Sequence, residues 1–338
     1  MAIAPNDVVI PRWQRWSPAD ERRPRGAVTR WSLRLLLALP FAALALYSTG
    51  RGFTPPAVPP VVALVPGGPM IAGLATALLT GVALAALGER LVRWEVPLRV
   101  TVPLALVPAL AYAGSQDLAA VLTLVLLALA VEGFVHFAVA GRPDGAVRAG
   151  LALAGAALCD PVAILYAAAF AGAAPFVAAA RRRAEPTPPA TWAVLLCPAL
   201  TAFTIALLLD WRLTGQVWVG LDPAGPVRAA GEALLAVVHT PLYAAVAVVY
   251  AVRRPRALIG YLTPVAAVFV ALLAGLAYSP VTGYLLLTAV ALIAVPRAPS
   301  RRLSTFLATV ALIQWAQVVT WPPTSPAFQE WLRVVWGF

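Results

Sequence analysis

Lysine is absent from this chain, and cysteine and histidine nearly so. All 25 basic side chains are arginine, against 14 acidic ones, two histidines and two cysteines in 338 residues. Cys159 and Cys197 lie in or beside apolar runs and share no metal-type spacing, which argues against a disulfide framework or a zinc site. Neither a metal nor a cofactor is expected. Charge is scarce as well: 12% of residues are charged and 61% are hydrophobic, where soluble domains carry about 25% charge. A water-soluble globule of this length cannot hide so much apolar surface. Disordered chains are polar and charged, so disorder is excluded too. What remains is an all-α polytopic transmembrane bundle.

A net charge of +11 invites nucleic acid as a partner. In a membrane chain it reports topology instead, because arginines stay on the cytoplasmic side; no nucleic-acid partner is expected. The wholesale use of arginine for lysine, with abundant Ala, Pro and Gly, fits a GC-rich bacterial genome. No cleavable signal peptide is visible, and the first long apolar run near Leu33 sits behind an Arg-rich tail, as in a signal anchor.

Apolar runs of roughly 17–25 residues give spans at Leu33–Thr49, Met70–Leu87, Val96–Ala113 and Leu118–Ala140. Between Arg148 and Arg181 the chain is too short for two full spans, so it is read as a hairpin of two short helices broken at Asp160-Pro161. Further spans follow at Thr191–Leu209, Ala233–Val252, Leu258–Tyr278, Val281–Val295 and Leu303–Thr320. This threading has eleven crossings. It divides the chain into a cytoplasmic tail (1–32), a transmembrane domain (33–320) and an extracytoplasmic tail (321–338). It leaves only Arg51, Arg212, Arg228 and Arg333 outside, and the other 21 of 25 arginines inside. The expected location is the plasma membrane, N-terminus cytoplasmic and C-terminus extracytoplasmic. Trp31, Trp94, Trp192, Trp211, Trp321 and Trp331 fall at predicted span ends, where amphipathic rings favour the headgroup level. In the last residues, Phe328, Trp331, Leu332, Val335 and Trp336 share one face at helical spacing, opposite Gln329, Glu330 and Arg333, which predicts an interfacial helix. Near the start, Trp13 and Trp16 interleave with arginines, as a topology determinant or an anionic-lipid anchor.

Ionisable groups within a membrane are functional hypotheses by default. Asp117 opens the fourth span, either as a helix cap or as a working carboxylate. Glu132 and His136 lie one turn apart in that span, as a proton relay or a structural pair. Asp160 sits at the hairpin tip, capping the second helix or facing an outer cavity. The loop Asp210–Gly231 gathers Asp210, Trp211, Arg212, Trp218, Asp222 and Arg228, with Glu232 directly after it. Arginine suits phosphate and tryptophan suits sugar faces or headgroups, so with Arg51 these residues form a candidate lipid-phosphate or sugar site; an ordinary interfacial loop is the plainer alternative. No nucleotide-binding, Ser-His-Asp or zinc-protease motif appears.

Three motifs in order carry a resemblance. The run from Arg148 through Gly150-Leu151-Ala152 to Leu158-Cys159-Asp160-Pro161 resembles the short-helix hairpin of the C-type (GT-C) glycosyltransferases, which use polyprenyl-phosphate sugars. Asp210-Trp211-Arg212-Leu213-Thr214-Gly215-Gln216 resembles an element after a later span in bacterial members, and Pro66-Gly67-Gly68-Pro69 resembles their entry to the second span. The resemblance, over about Leu33 to Pro296, implies a multi-pass enzyme acting on its outer face, with a carboxylate in the first outer loop as base or metal ligand. Here that loop, Gly50 to Pro60, holds no acid, and none occurs between Glu21 and Glu89. General-base chemistry needs an acceptor within hydrogen-bond reach. The expectation is therefore a non-catalytic subunit, or lipid- or glycan-binding partner, in envelope assembly, in contact with membrane lipids, a polyprenyl-phosphate lipid or glycan, or a membrane protein partner. The rivals are an enzyme with a relocated acid (Asp117, Asp160 or Asp210), and a transporter or flippase using Glu132, His136 and Asp160.

Overall fold

The computed structural model describes residues 27–53, 68–93, 107–140, 143–181, 191–214, 223–253, 255–276, 278–295, 300–321 and 325–337. These form fourteen helices: α1 (Ala27–Gly50), α2 (Gly68–Arg93), α3 (Val107–Gln116), α4 (Leu118–Ala140), α5 (Pro143–Cys159), α6 (Ala163–Arg181), α7 (Thr191–Thr214), α8 (Pro226–Val238), α9 (Pro241–Arg253), α10 (Pro255–Tyr261), α11 (Thr263–Ala274), α12 (Pro280–Ala294), α13 (Arg301–Thr320) and α14 (Pro326–Trp336). Only helices and closed barrels satisfy every backbone group in lipid, and the described chain takes the helical solution.

Four stretches are long and apolar enough to cross a bilayer: Trp31–Gly50, Leu118–Ala138, Thr191–Leu209 and Arg301–Thr320. Helices α8 and α9 qualify as a fifth only together, bent by 94°. Met70–Ala86, Ala163–Phe176, Thr263–Ala274 and Pro280–Ala294 are shorter apolar helices. The chain is thus an all-α, multi-pass membrane protein with four or five candidate spans, and the expected count of eleven is not established. Three expected spans differ in particular. Of Val96–Ala113, only the part from Val107 is described. Ala233–Val252 breaks at His239-Thr240-Pro241, and Leu258–Tyr278 breaks at Leu262 before Pro264.

The break at Pro241 has a physical cause beyond proline's missing donor. A helix start leaves backbone N–H groups unpaired. Here the Leu242 N–H donates to Gln314 Oε1 on α13 at 2.9 Å, and Gln314 Nε2 donates to Thr288 Oγ1 on α12 at 2.8 Å. Gln314 is fully buried, so this polar bridge supplies inside the bundle what water supplies at a surface. Asp160-Pro161 breaks the α5–α6 hairpin where the sequence places it. Pro40, Pro175 and Pro198 sit inside continuous helices, as membrane helices tolerate.

Packing rests on small residues, since lipid removes the hydrophobic drive between helices and leaves close van der Waals fit. Helix α4 lies against α5 through Gly133, Gly145 and Ala149: a Cβ on Gly133 would stand 2.8 Å from the Gly145 carbonyl oxygen, and one on Gly145 would stand 2.7 Å from the Phe137 nitrogen. A Cβ on Gly150 would overlap the Val194 carbonyl oxygen of α7. Four cores result. One joins α2, α3, α4, α12, α13 and α14 with Phe53, a second joins α4 through α7 and α11, a third joins α9, α10, α12 and α13, and a fourth joins α4 through α7 around Phe137 and Leu195.

The C-terminal helix forms as expected but is used differently. Ser325 accepts from the Phe328 N–H, Pro326 fills the first turn, and Gly337 ends it at φ 74°, each a strong start or stop signal. Much of its apolar face is turned into the protein, while Trp336 stays exposed. Phe328, Trp331 and Leu332 are buried in the protein, with the Tyr112 ring 5.1 Å from Phe328 and 5.7 Å from Trp331. Trp331 is therefore a core residue and no interfacial anchor. Trp31, Trp192, Trp211 and Trp321 do lie exposed at helix ends.

Candidate functional site

Three helices and two turn residues bring polar groups to a small cavity around the α5–α6 turn. Asp160 is 8% exposed, and its Oδ1 accepts from the Val162 N–H at 2.9 Å, which caps the start of α6. The cavity is lined by the side chains of Asp160, Tyr166 (α6), Thr123 (α4), Thr282 (α12) and Tyr278, the last just before α12, with Val268 of α11 and other apolar groups closing it. Thr123 Oγ1 is buried and has no hydrogen-bond partner. Room remains for about one water molecule. Gly283 makes space for the Tyr278 ring: a Cβ there would overlap the Tyr278 hydroxyl.

Asp160 lies in a turn, outside every helix of membrane-spanning length. Burial pushes its carboxyl up to about 6; the Val162 N–H opposes that shift and the Asp117 charge adds to it. Burial disfavours the charged form of an acid. The folded value exceeds the unfolded one, so ionisation lowers stability as pH rises through about 6, and protonation relieves the penalty.

Tyr278 also lines a second cavity, with Glu232, Leu235, Ala236, His239, Pro280 and Tyr284. His239 Nε2 is buried there without a partner, and its ring lies 4.6 Å from that of Trp321. The two cavities thus share one wall, which connects the hairpin tip to the α8–α9 bend.

The other expected residues are placed apart. Asp117 caps α4, with Oδ1 accepting from the Ala120 N–H at 3.1 Å; burial raises its carboxyl, against the Ala120 and Ala119 N–H groups. Glu132 and His136 are half-buried on α4 beyond Leu127, the last α4 residue on the Asp160 cavity. Glu132 stands five positions along the helix from Leu127, roughly 7.5 Å of rise. Arg51 is exposed, its guanidinium 5.0 Å from the Tyr47 ring centre. Trp211, Arg212 and Arg228 are exposed. Residues 210–214, expected as loop, continue α7 to Thr214. Trp218, Asp222 and most of the first outer loop lie outside the described residues, as does the Asp210 side chain. Among the described residues, no arginine lines either cavity. Among the described residues, no three His, Cys, Asp or Glu side chains converge as a metal site, and both cysteines are free.

Sequence reasoning singled out Asp160 but missed Tyr166, Tyr278 and Thr123. Their signal was weak, since a hydroxyl in an apolar run looks like packing until the neighbouring helices are placed.

Helices long enough to cross a bilayer, with an acid buried between them, define the class: a multi-pass helical membrane protein. Compared with protein-family models, curated proteins and solved structures, the chain has no match. The glycosyltransferase resemblance gains no support from these comparisons.

Proposed function

We propose that the protein is a non-catalytic subunit, or lipid- or glycan-binding partner, of an envelope-assembly complex in the plasma membrane. One observation carries this reading: the cavity holding Asp160, the most buried acid of the described residues, has space for about a water molecule and, among those residues, no arginine at its wall. Sugar transfer from a lipid phosphate needs a carboxylate within reach of a bound hydroxyl and cationic help for the phosphate. Asp117 is committed to capping α4. The exposed apolar faces, such as Leu35, Leu36 and Leu39 on α1, and Leu208 and Leu209 on α7, suit lipid or a membrane partner.

The test is direct. In lipid nanodiscs with polyprenyl-phosphate-linked sugar and an acceptor glycan, the purified protein releases no polyprenyl phosphate above a protein-free control. Transfer that disappears in Asp117→Asn, Asp160→Asn or Asp210→Asn, at equal protein level, overturns the proposal in favour of an enzyme with a relocated acid. The expected orientation is tested separately, in a chain whose Cys159 and Cys197 are replaced by alanine. Arg228→Cys and Arg333→Cys are expected to react with an impermeant maleimide on intact cells. Arg253→Cys and Arg301→Cys are expected to react only after permeabilisation. The reverse pattern overturns the N-inside, C-outside arrangement.

A further inference from the structure

We propose that the cavity at the α5–α6 turn is a binding site for one monovalent metal cation of about sodium size, held by the Asp160 carboxylate and the Thr123 hydroxyl. Three observations lead there. The first is charge. Asp160 is buried, its neighbouring charge is the like-signed Asp117, and among the described residues no arginine or histidine lines the cavity. A buried carboxylate without a counter-charge is costly, and two acids with no base create a negative potential that draws cations in. The second is chemistry. The polar side chains at the wall, Asp160, Thr123, Tyr166, Tyr278 and Thr282, present only oxygen, and hard cations take oxygen ligands. The third is the Thr123 hydroxyl. It is 2% exposed on the cavity wall and has no hydrogen-bond partner. An orphaned buried hydroxyl calls for an explanation, and a cation beside the carboxylate supplies one.

Size and charge narrow the ligand. The space suits one water-sized particle, and one carboxylate neutralises one positive charge. A divalent ion would leave the buried site with uncompensated charge. Tyr278 also lines the second cavity, where Glu232 is only half-buried and adds an acid nearby. The proposal is independent of the function proposed above, because it needs neither a glycan nor a partner.

The experiment uses the full chain in detergent at pH 7.5, with melting followed by tryptophan fluorescence. Sodium chloride is titrated against choline chloride at constant ionic strength. The expected result is a melting midpoint that rises with sodium and saturates, as ligand linkage requires, and is unmoved by choline. Asp160→Asn is expected to melt at one temperature in both salts. Thr123→Val, which keeps shape and loses one ligand, is expected to raise the half-saturating sodium concentration about tenfold. At pH 5 protons compete for the carboxylate, and the sodium dependence is expected to weaken. The groups facing Asp160 in this titration are Asp117, Cys159, Tyr166 and Tyr278, with Glu232 beyond Tyr278. Equal midpoints in sodium and choline for the unmodified protein overturn the proposal and leave a protonated carboxyl in its place. A sodium shift that survives in Asp160→Asn, or is unchanged in Thr123→Val, overturns it equally.

Discussion

Gly150→Val is expected to abolish recovery of folded protein from membranes. The Cβ of any larger residue at 150 would fall on the Val194 carbonyl oxygen. That atom belongs to the backbone of α7, so no side-chain rotation relieves the clash, and α5 must move away from α7 as a body. Overpacking in a close-packed core costs about 1–3 kcal/mol, and more where the neighbour cannot yield. Whole domains are stable by only about 5–15 kcal/mol. The loss also spreads, because the opposite side of α5 is held against α4 by Gly145 and Ala149. Gly172→Val is the control: a Cβ there meets nothing within 4 Å. Detergent-extracted fluorescent fusions run over a sizing column check the pair. The valine at 150 is expected to give aggregate and the valine at 172 a single peak. A single peak for both would mean that α5 and α7 do not pack at Gly150.

That packing also accounts for the hairpin's small residues without any glycosyltransferase chemistry. Within Arg148–Pro161, Gly150 meets α7, Ala149 meets Gly133 of α4, and Ala152, Leu153, Ala156 and Ala157 fill the core between them. A short helix wedged between two others needs small residues at this spacing whatever chemistry lies beyond it. In the same way Asp210-Trp211-Arg212, read as the start of an outer binding loop, lies in the last turn of a long helix with Trp211 exposed near its end. That position serves a headgroup anchor.

Hydropathy and proline made part of the fold legible. Helix α4, at Leu118–Ala140, is a long unbroken apolar run, and its limits coincide with the expected span. Pro161 follows an aspartate that caps the next helix, so the break there is local and readable. Pro241 and Pro198 look alike in sequence, yet the chain bends at the first and continues as one helix through the second. The bend is stabilised by Gln314, 72 residues from Leu242, and no window along the chain contains both. The candidate site divides on the same ground. Asp160 stands out because an acid in an apolar run carries a large desolvation cost. Thr123, Tyr166 and Tyr278 come from other segments, and only tertiary packing sets them around one carboxylate.

Truncating Trp331 is expected to be the second most damaging change. Trp331 is 1% exposed, among the largest fully buried side chains, and stands at the centre of an aromatic group with Tyr112 and Phe328. Trp331→Ala leaves a cavity that Tyr112 and Phe53 cannot close from their helix-bound and turn-bound positions. Large-to-small changes of this kind cost about 3–5 kcal/mol, in part from the lost edge-to-face ring contact. The indole Nε1 has no hydrogen-bond partner, so Trp331→Phe removes an unsatisfied donor and keeps most of the apolar volume. It is expected to cost far less than alanine. Trp336→Ala, at an exposed position of the same helix, is expected to change little. The order of melting temperatures in detergent, unmodified and Trp336→Ala highest, Trp331→Phe between and Trp331→Ala lowest, separates a docked core helix from one that lies on lipid. An interfacial helix would reverse it, because losing exposed Trp336 would then weaken membrane attachment while losing Trp331 left the bundle intact.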